Sequence, residues 1–107
     1  MKVSYRPAAG DDVARQFLYY LVTLDVPEVA ERFRDAVRLS VQALRQHPFL
    51  GFHYRLRNPE LQDLRVWPVT GFETLRIYYL GLDDAIVVIR ILHGKRNVRR
   101  ILERERV

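Results

Sequence analysis

Seven of the eighteen bases in this 107-residue chain fall between Arg90 and Val107, against only two acids. Residues 1–50 carry seven bases and six acids, and residues 51–89 four and five, so the formal charge of +5 is concentrated at one end. The stretch AIVVIRILHGKRNVRR, from Ala85 to Arg100, sets Arg90 inside a β-branched run. It then passes through His93 and Gly94 into Lys95, Arg96, Arg99 and Arg100 without an acid. Desolvating an unpaired cation costs several kcal/mol, so Arg90 must meet a partner or water. Cations at this density suit the binding of phosphates or carboxylates, and so an acidic partner or a nucleic acid.

Other chemistry is poorly provided. The absence of cysteine removes thiolate nucleophiles, thiolate metal sites and disulfides. His47, His53 and His93 have no metal-ligand spacing, no acidic cluster joins them, and no glycine-rich loop could cradle a phosphate. No cofactor or metal is therefore expected. His93, at a strand end with no carboxylate beside it in sequence, reads as a hydrogen-bonded structural group before it reads as a catalyst. The longest apolar run, Ala85 to Ile89, is far too short to span a bilayer, and the first residues lead into a strand pattern rather than a signal peptide. The expectation is one cytoplasmic domain over residues 1–107 with a single core.

The elements that must position these residues are marked by periodicity. KVSYR alternates as a short strand up to Pro7, after which Val13, Phe17, Tyr20, Leu21 and Leu24 recur at helical spacing. LDVPE restarts the chain with Pro27 and Glu28 in first-turn positions. A second helix follows, with Ala30, Phe33, Val37, Val41 and Leu44 as its buried stripe, and HPFLG ends it. The short connection makes an antiparallel helical hairpin. Residues 51–63 read as loop. LRVWPV, LRIYYL and AIVVIRIL then form an antiparallel meander with an edge or bulge at Pro68, and VRRILERERV closes as a short basic helical segment.

A helical hairpin covers one face of a sheet, so the other face is expected to be open until a partner fills it. Alternation puts Arg90 with Ile86, Val88 and Leu92, Arg76 with Tyr78, and Arg65 with Trp67. Aligned by register, the three arginines would make a cationic row with aromatic flanks on that open face, fit for an acidic peptide or for phosphates with stacked bases.

ELQDLRVWPVTGFETLRIYYL and AIVVIRILHGKRNVRRIL, with YRPAAGDDV before them and ALRQHPFLG at the second helix end, resemble the ParE branch of the ParE/RelE toxin superfamily. The likeness covers nearly the whole chain; it departs at Asn97, where the family commonly has an acid. The resemblance implies an α+β fold in which a two-helix hairpin packs on a four-stranded antiparallel sheet. It also implies neutralisation by a ParD-like antitoxin, for which Arg65, Trp67, Arg76, Tyr78, Ile86, Val88, Arg90 and Leu92 would be the docking residues.

Two mechanisms divide that superfamily. RelE-like members cut messenger RNA on the ribosome; here only Arg76, Arg90, His93, Lys95 and Arg96 could serve, chiefly to hold phosphate. Arg65 and Trp67 stand where that branch resembles Lys-x-Lys, Leu102 stands near its C-terminal tyrosine position, and arginine is too basic to act as a base. ParE-like members resemble inhibitors of DNA gyrase that need no catalytic residue. His93, Lys95, Arg96, Arg99 and Arg100 would then contact gyrase or its DNA. An inactive relic serving only as a binding domain is the third reading.

Overall fold

Pro7 both ends the first strand and begins the first helix, since its fixed φ suits a first helical position that needs no N–H. In the computed structural model, which describes residues 1–106, strand β1 (Lys2–Tyr5) is followed by α1 (Pro7–Leu18) and a wider π turn (Tyr19–Thr23). Helix α2 spans Pro27–Gln46. Its buried residues include Ala30, Phe33, Val37, Val41 and Leu44, the apolar stripe read from the sequence, joined by Ser40. The stripe of α1 is less regular, because the π turn rotates the chain and leaves Leu24 exposed while Tyr20 still reaches the core.

The sheet has five strands in the order β1-β5-β4-β3-β2, and this corrects the four-stranded antiparallel expectation. Phe52–His53 form β2, pairing antiparallel with β3 (Arg65–Val69) from inside the segment read as loop. Strand β5 (Ala85–His93) runs parallel to β1, which makes the sheet mixed. Strand β4 (Phe72–Gly81) pairs antiparallel with β3 and β5. The ladder slips between Pro68 and Val69, as a residue without an N–H predicts.

The second face of the sheet is not open. The hairpin side buries Phe33, Val37, Val41 and Leu44 against Ile77, Tyr79, Ile86 and Val88. On the opposite side, Leu61 and Leu64 from the 54–64 segment and Val98 and Leu102 from α3 (Val98–Glu103) enclose Tyr78, Ile89 and Leu92. The apolar run of β5 is thus covered on both faces by its own chain, and each fully buried aliphatic side chain there contributes about 1.5–3 kcal/mol. The basic closing segment is helical only from Val98 to Glu103; Val107 lies outside the described residues.

Candidate functional site

Arg90 meets acids of its own chain. A β-bulge in β5 sets Tyr78 opposite Arg90 and Tyr79 opposite Val88, leaving Ile89 between them without a partner. Arg90 therefore lies on the α3 face with Tyr78, not with Ile86 and Val88 as simple alternation suggested. Its Nε and Nη2 donate to the two oxygens of Asp12 at 2.8 and 2.9 Å, and its Nη1 donates to Glu105 at 2.6 Å. Asp12 also accepts the Ile91 backbone N–H at 2.9 Å, a ladder donor left over where β1 has ended. Held by this fork of charge-assisted bonds, the Arg90 guanidinium is pushed further into its charged form, chiefly by Asp12.

The other expected docking residues are scattered by the same geometry. Tyr78, Ile86, Val88 and Leu92 are interior, with Ile86 and Val88 under the hairpin and Tyr78 and Leu92 under α3. Trp67 packs half-buried at the hairpin side. Arg65 also lies on that side, donating to the Phe49 and Gly51 carbonyls at 3.1 and 2.7 Å and stacking on Phe49. Arg76 is on the opposite face, exposed, across from Leu92. The cationic row does not form, because Arg65 and Arg76 point to opposite sides and Arg90 is enclosed by carboxylates.

Of the residues that could have served a nuclease, His93 and Arg96 do come together, lining a small cavity of about 70 Å³ with Arg15 and Gln16. Asp12 lines it too, but its carboxylate is engaged by Arg90 and Ile91. His93 accepts the Lys95 backbone N–H at Nδ1, at 3.2 Å, the local turn contact expected of a structural histidine. Arg76 crosses over Gly94, where an added Cβ would come within 3.0 Å of the guanidinium carbon, so a side chain there would have to shift the exposed Arg76. Burial pushes the Tyr78 hydroxyl upward in pKa, with Arg76 opposing.

Several residues that fasten the α3 face were invisible in the sequence. Asn58, buried, donates from its side chain to the Leu102 and Glu105 carbonyls at 3.0 and 2.8 Å, closing the end of α3. Glu103 accepts the backbone N–H groups of Arg57 and Asn58 at 2.9 and 2.7 Å, and the first of these bonds leads in holding its carboxyl below the usual range. Arg99 stacks on Tyr54 and donates to the Arg55 carbonyl at 2.7 Å. The only available sequence signal was at Asp12. Placed beside Val13 and three after Ala9, it is an acid on the buried stripe of α1, and such an acid calls for a cation.

What remains outside is polarised. The exposed large apolar residues lie on β1 (Val3, Tyr5), around the π turn (Leu18, Tyr19, Val22), on α2 (Leu39), beside β2 (Phe49, Phe52) and at the β4–β5 turn (Leu82). None lies from residue 54 to 64 or from 94 to 106. Beside β1, a cavity of about 340 Å³ is formed by Tyr5, Gly10, Val13 and Val37 with Arg34 and Arg38 at its rim. Strand β1 is the sheet edge there, with alternate backbone groups unpaired on its outer side. Across the molecule, a groove of about 690 Å³ is lined by Arg57, Arg99 and Arg106 around Asn58 and Glu103. Among the described residues no group of three or more His, Cys, Asp or Glu is placed to hold a metal, and no helix is long and apolar enough to cross a membrane.

Residues 3–98 match the family described as ParE toxin of type II toxin-antitoxin system, parDE. A solved structure described as the chromosomal ParDE TA system from P. aeruginosa is similar over 87% of this chain and 95% of that one, with a TM-score of 0.68 and 19% identity. At that identity the likeness speaks for the fold. No curated protein matches significantly.

Proposed function

The chain belongs to the ParE toxin family of type II toxin–antitoxin systems, and from that membership we propose that a ParD-like antitoxin neutralises it and that it acts by binding DNA gyrase rather than by cutting RNA. The observation that carries the antitoxin half is the apolar groove beside an unpaired sheet edge, formed by β1, α1 and α2. An extended antitoxin segment can add to β1 by backbone hydrogen bonds and set apolar side chains against Tyr5, Val13 and Val37. Acids flanking that segment would meet Arg34 and Arg38, whose ion pairs with Glu31 and Asp35 are exposed i,i+3 pairs, Arg34 also lying over the Phe17 ring. The antitoxin surface is thus moved from the interior of the sheet to its β1 edge.

The target half rests on the basic residues His93, Lys95, Arg96, Arg99 and Arg100, none of which lines that groove, so toxin and antitoxin contacts need not compete for the same residues; Arg99 lines the groove beside α3, while His93 and Arg96 lie against α1. A binding mechanism suits a site in which Arg90 is sequestered by Asp12 and Glu105 and, among the described residues, no carboxylate hydrogen-bonds His93. Induced expression with and without the adjacent antitoxin gene tests the proposal. Gyrase supercoiling should fall in extracts of cells making the toxin alone and recover with the antitoxin. Cleavage of messenger RNA in a translation reaction, with supercoiling intact, would select the nuclease instead.

A further inference from the structure

The acids of the basic segment are both consumed inside the molecule. Glu103 is tied to the Arg57 and Asn58 backbone, and Glu105 to Arg90. Lys95, Arg96, Arg100 and Arg104 have no side-chain hydrogen bond or ion pair among the described residues. Arg57, Arg99 and Arg106 rim the adjoining groove. Glu103 in that groove and Glu60, 3.9 Å from Arg106, offset part of this charge, and the face keeps a positive surplus.

We propose that this face, built by α3 and the residues before and after it together with the 54–60 segment, binds the phosphate backbone of duplex DNA. The inference rests on the reading that gyrase, an enzyme that works on duplex DNA, is the target, and it names what the basic residues touch there. Two absences within the described residues choose the occupant. A protein partner gains most of its affinity from apolar and aromatic anchors, yet no large apolar side chain is exposed between residues 54 and 64 or between 94 and 106. Single strands are held by stacking their bases on aromatic faces. Here Tyr54 is capped by Arg99 and packed edge-on against Tyr78, and Phe52, the exposed ring two residues before it, lies against Trp67. A duplex backbone needs neither anchor nor platform, only cations that displace its counterions.

The test is fluorescence anisotropy of the purified toxin with a labelled 24-base-pair DNA duplex of arbitrary sequence across a salt series. Sequence-independent binding is expected, with a slope of log K against log salt of about −4 if four or five phosphates are contacted. Arg100→Glu with Arg104→Glu, both exposed and unpartnered, should weaken binding at least tenfold and flatten the slope by about 2, with circular dichroism and melting unchanged. Salt-independent binding, or binding that the double variant leaves intact, would overturn the proposal. So would displacement by poly-glutamate at equal charge, which marks a site for acidic protein, or preference for single-stranded RNA. Supercoiling inhibition distinguishes the two readings. Inhibition without duplex binding overturns this inference alone, whereas duplex binding without inhibition sustains it and removes gyrase as the target.

Discussion

The two faces of the sheet are closed by different physics. Under the helical hairpin the seal is bulk apolar burial, from Phe33 and Leu44 to Ile77 and Ile86. Under α3 the cover is a loop and a six-residue helix, and much of its hold comes from Asn58, Glu103 and Glu105 hydrogen-bonding across the chain. The outer surfaces differ in the opposite sense. The hairpin side and the β1 edge leave apolar groups exposed, while residues 54–64 and 94–106 show cations and no large apolar group, Phe52 of β2 being the exposed ring at their margin. The polar latch beneath engages Glu103 with backbone N–H groups and Glu105 with Arg90, and leaves Lys95, Arg96, Arg100 and Arg104 without carboxylate partners among the described residues.

The largest expected effect comes from Asp12, which ties α1 to β5 at the rim where the two faces meet. Asp12→Ala would leave Arg90 short of its main partner and the Ile91 N–H unpaired, costing about 3–5 kcal/mol. Thermal melting should fall by roughly 15 °C or more. Replacing the pair together, Asp12→Leu with Arg90→Met, should cost less than Asp12→Ala alone, since no arginine is left without its main partner and the Glu105 carboxylate that loses Arg90 lies nearer the solvent than Asp12. A double variant worse than the single would show that the salt bridge itself, rather than the stranded arginine, sets the cost.

Asn58→Ala separates the faces more finely. Losing its bonds to the Leu102 and Glu105 carbonyls should cost about 1–3 kcal/mol, with hydrogen exchange accelerating in α3 before it does in α2. Uniform acceleration in both helices would erase the distinction drawn between latch and bulk seal. On the other side, Tyr5→Arg at the partly exposed β1 edge should reduce antitoxin affinity about tenfold while costing only about 1 kcal/mol of folding stability. Titration calorimetry paired with melting would show it, and unchanged affinity would move the antitoxin elsewhere.

The smallest effect is a pH dependence. The carboxyl pKa of Glu103 is lowered in the folded state, so its contribution is complete above the unfolded value of about 4.3 and is lost as pH falls through the lower folded value. Acid should therefore loosen α3 relative to the hairpin, and Glu103→Gln should remove that difference in exchange rates. If the acid sensitivity of α3 survived the substitution, Glu103 would not be its cause.

Much of the hairpin face was legible in the sequence, because Phe33, Val37, Val41 and Leu44 repeat at the helical period and one uninterrupted helix honours it. Pro68 announced its break in the ladder for the equally local reason that it lacks a donor. The α3 face was not legible. Leu56, Leu61 and Leu64 follow no period, and Asn58 acts through partners 44 to 47 residues away, so neither could be told from an ordinary loop. Strand β2 is two residues long and carries no periodicity at all. Ala85 to Ile89, apolar on both sides, did signal a strand covered twice, which conflicts with an open face and correctly favours the closed one. The bulge at Ile89 then redirected Arg90, and counting by twos cannot foresee such a shift.

The two outer surfaces divide the labour, the β1 edge taking the antitoxin and the basic face the target. Gyrase supercoiling should be titrated with the wild-type toxin and with Arg100→Gln/Arg104→Gln, and antitoxin affinity measured on the same preparations. The double variant should need at least about tenfold more protein to inhibit, while its antitoxin affinity stays within about twofold of wild type. Loss of both activities together, or of neither, would contradict it.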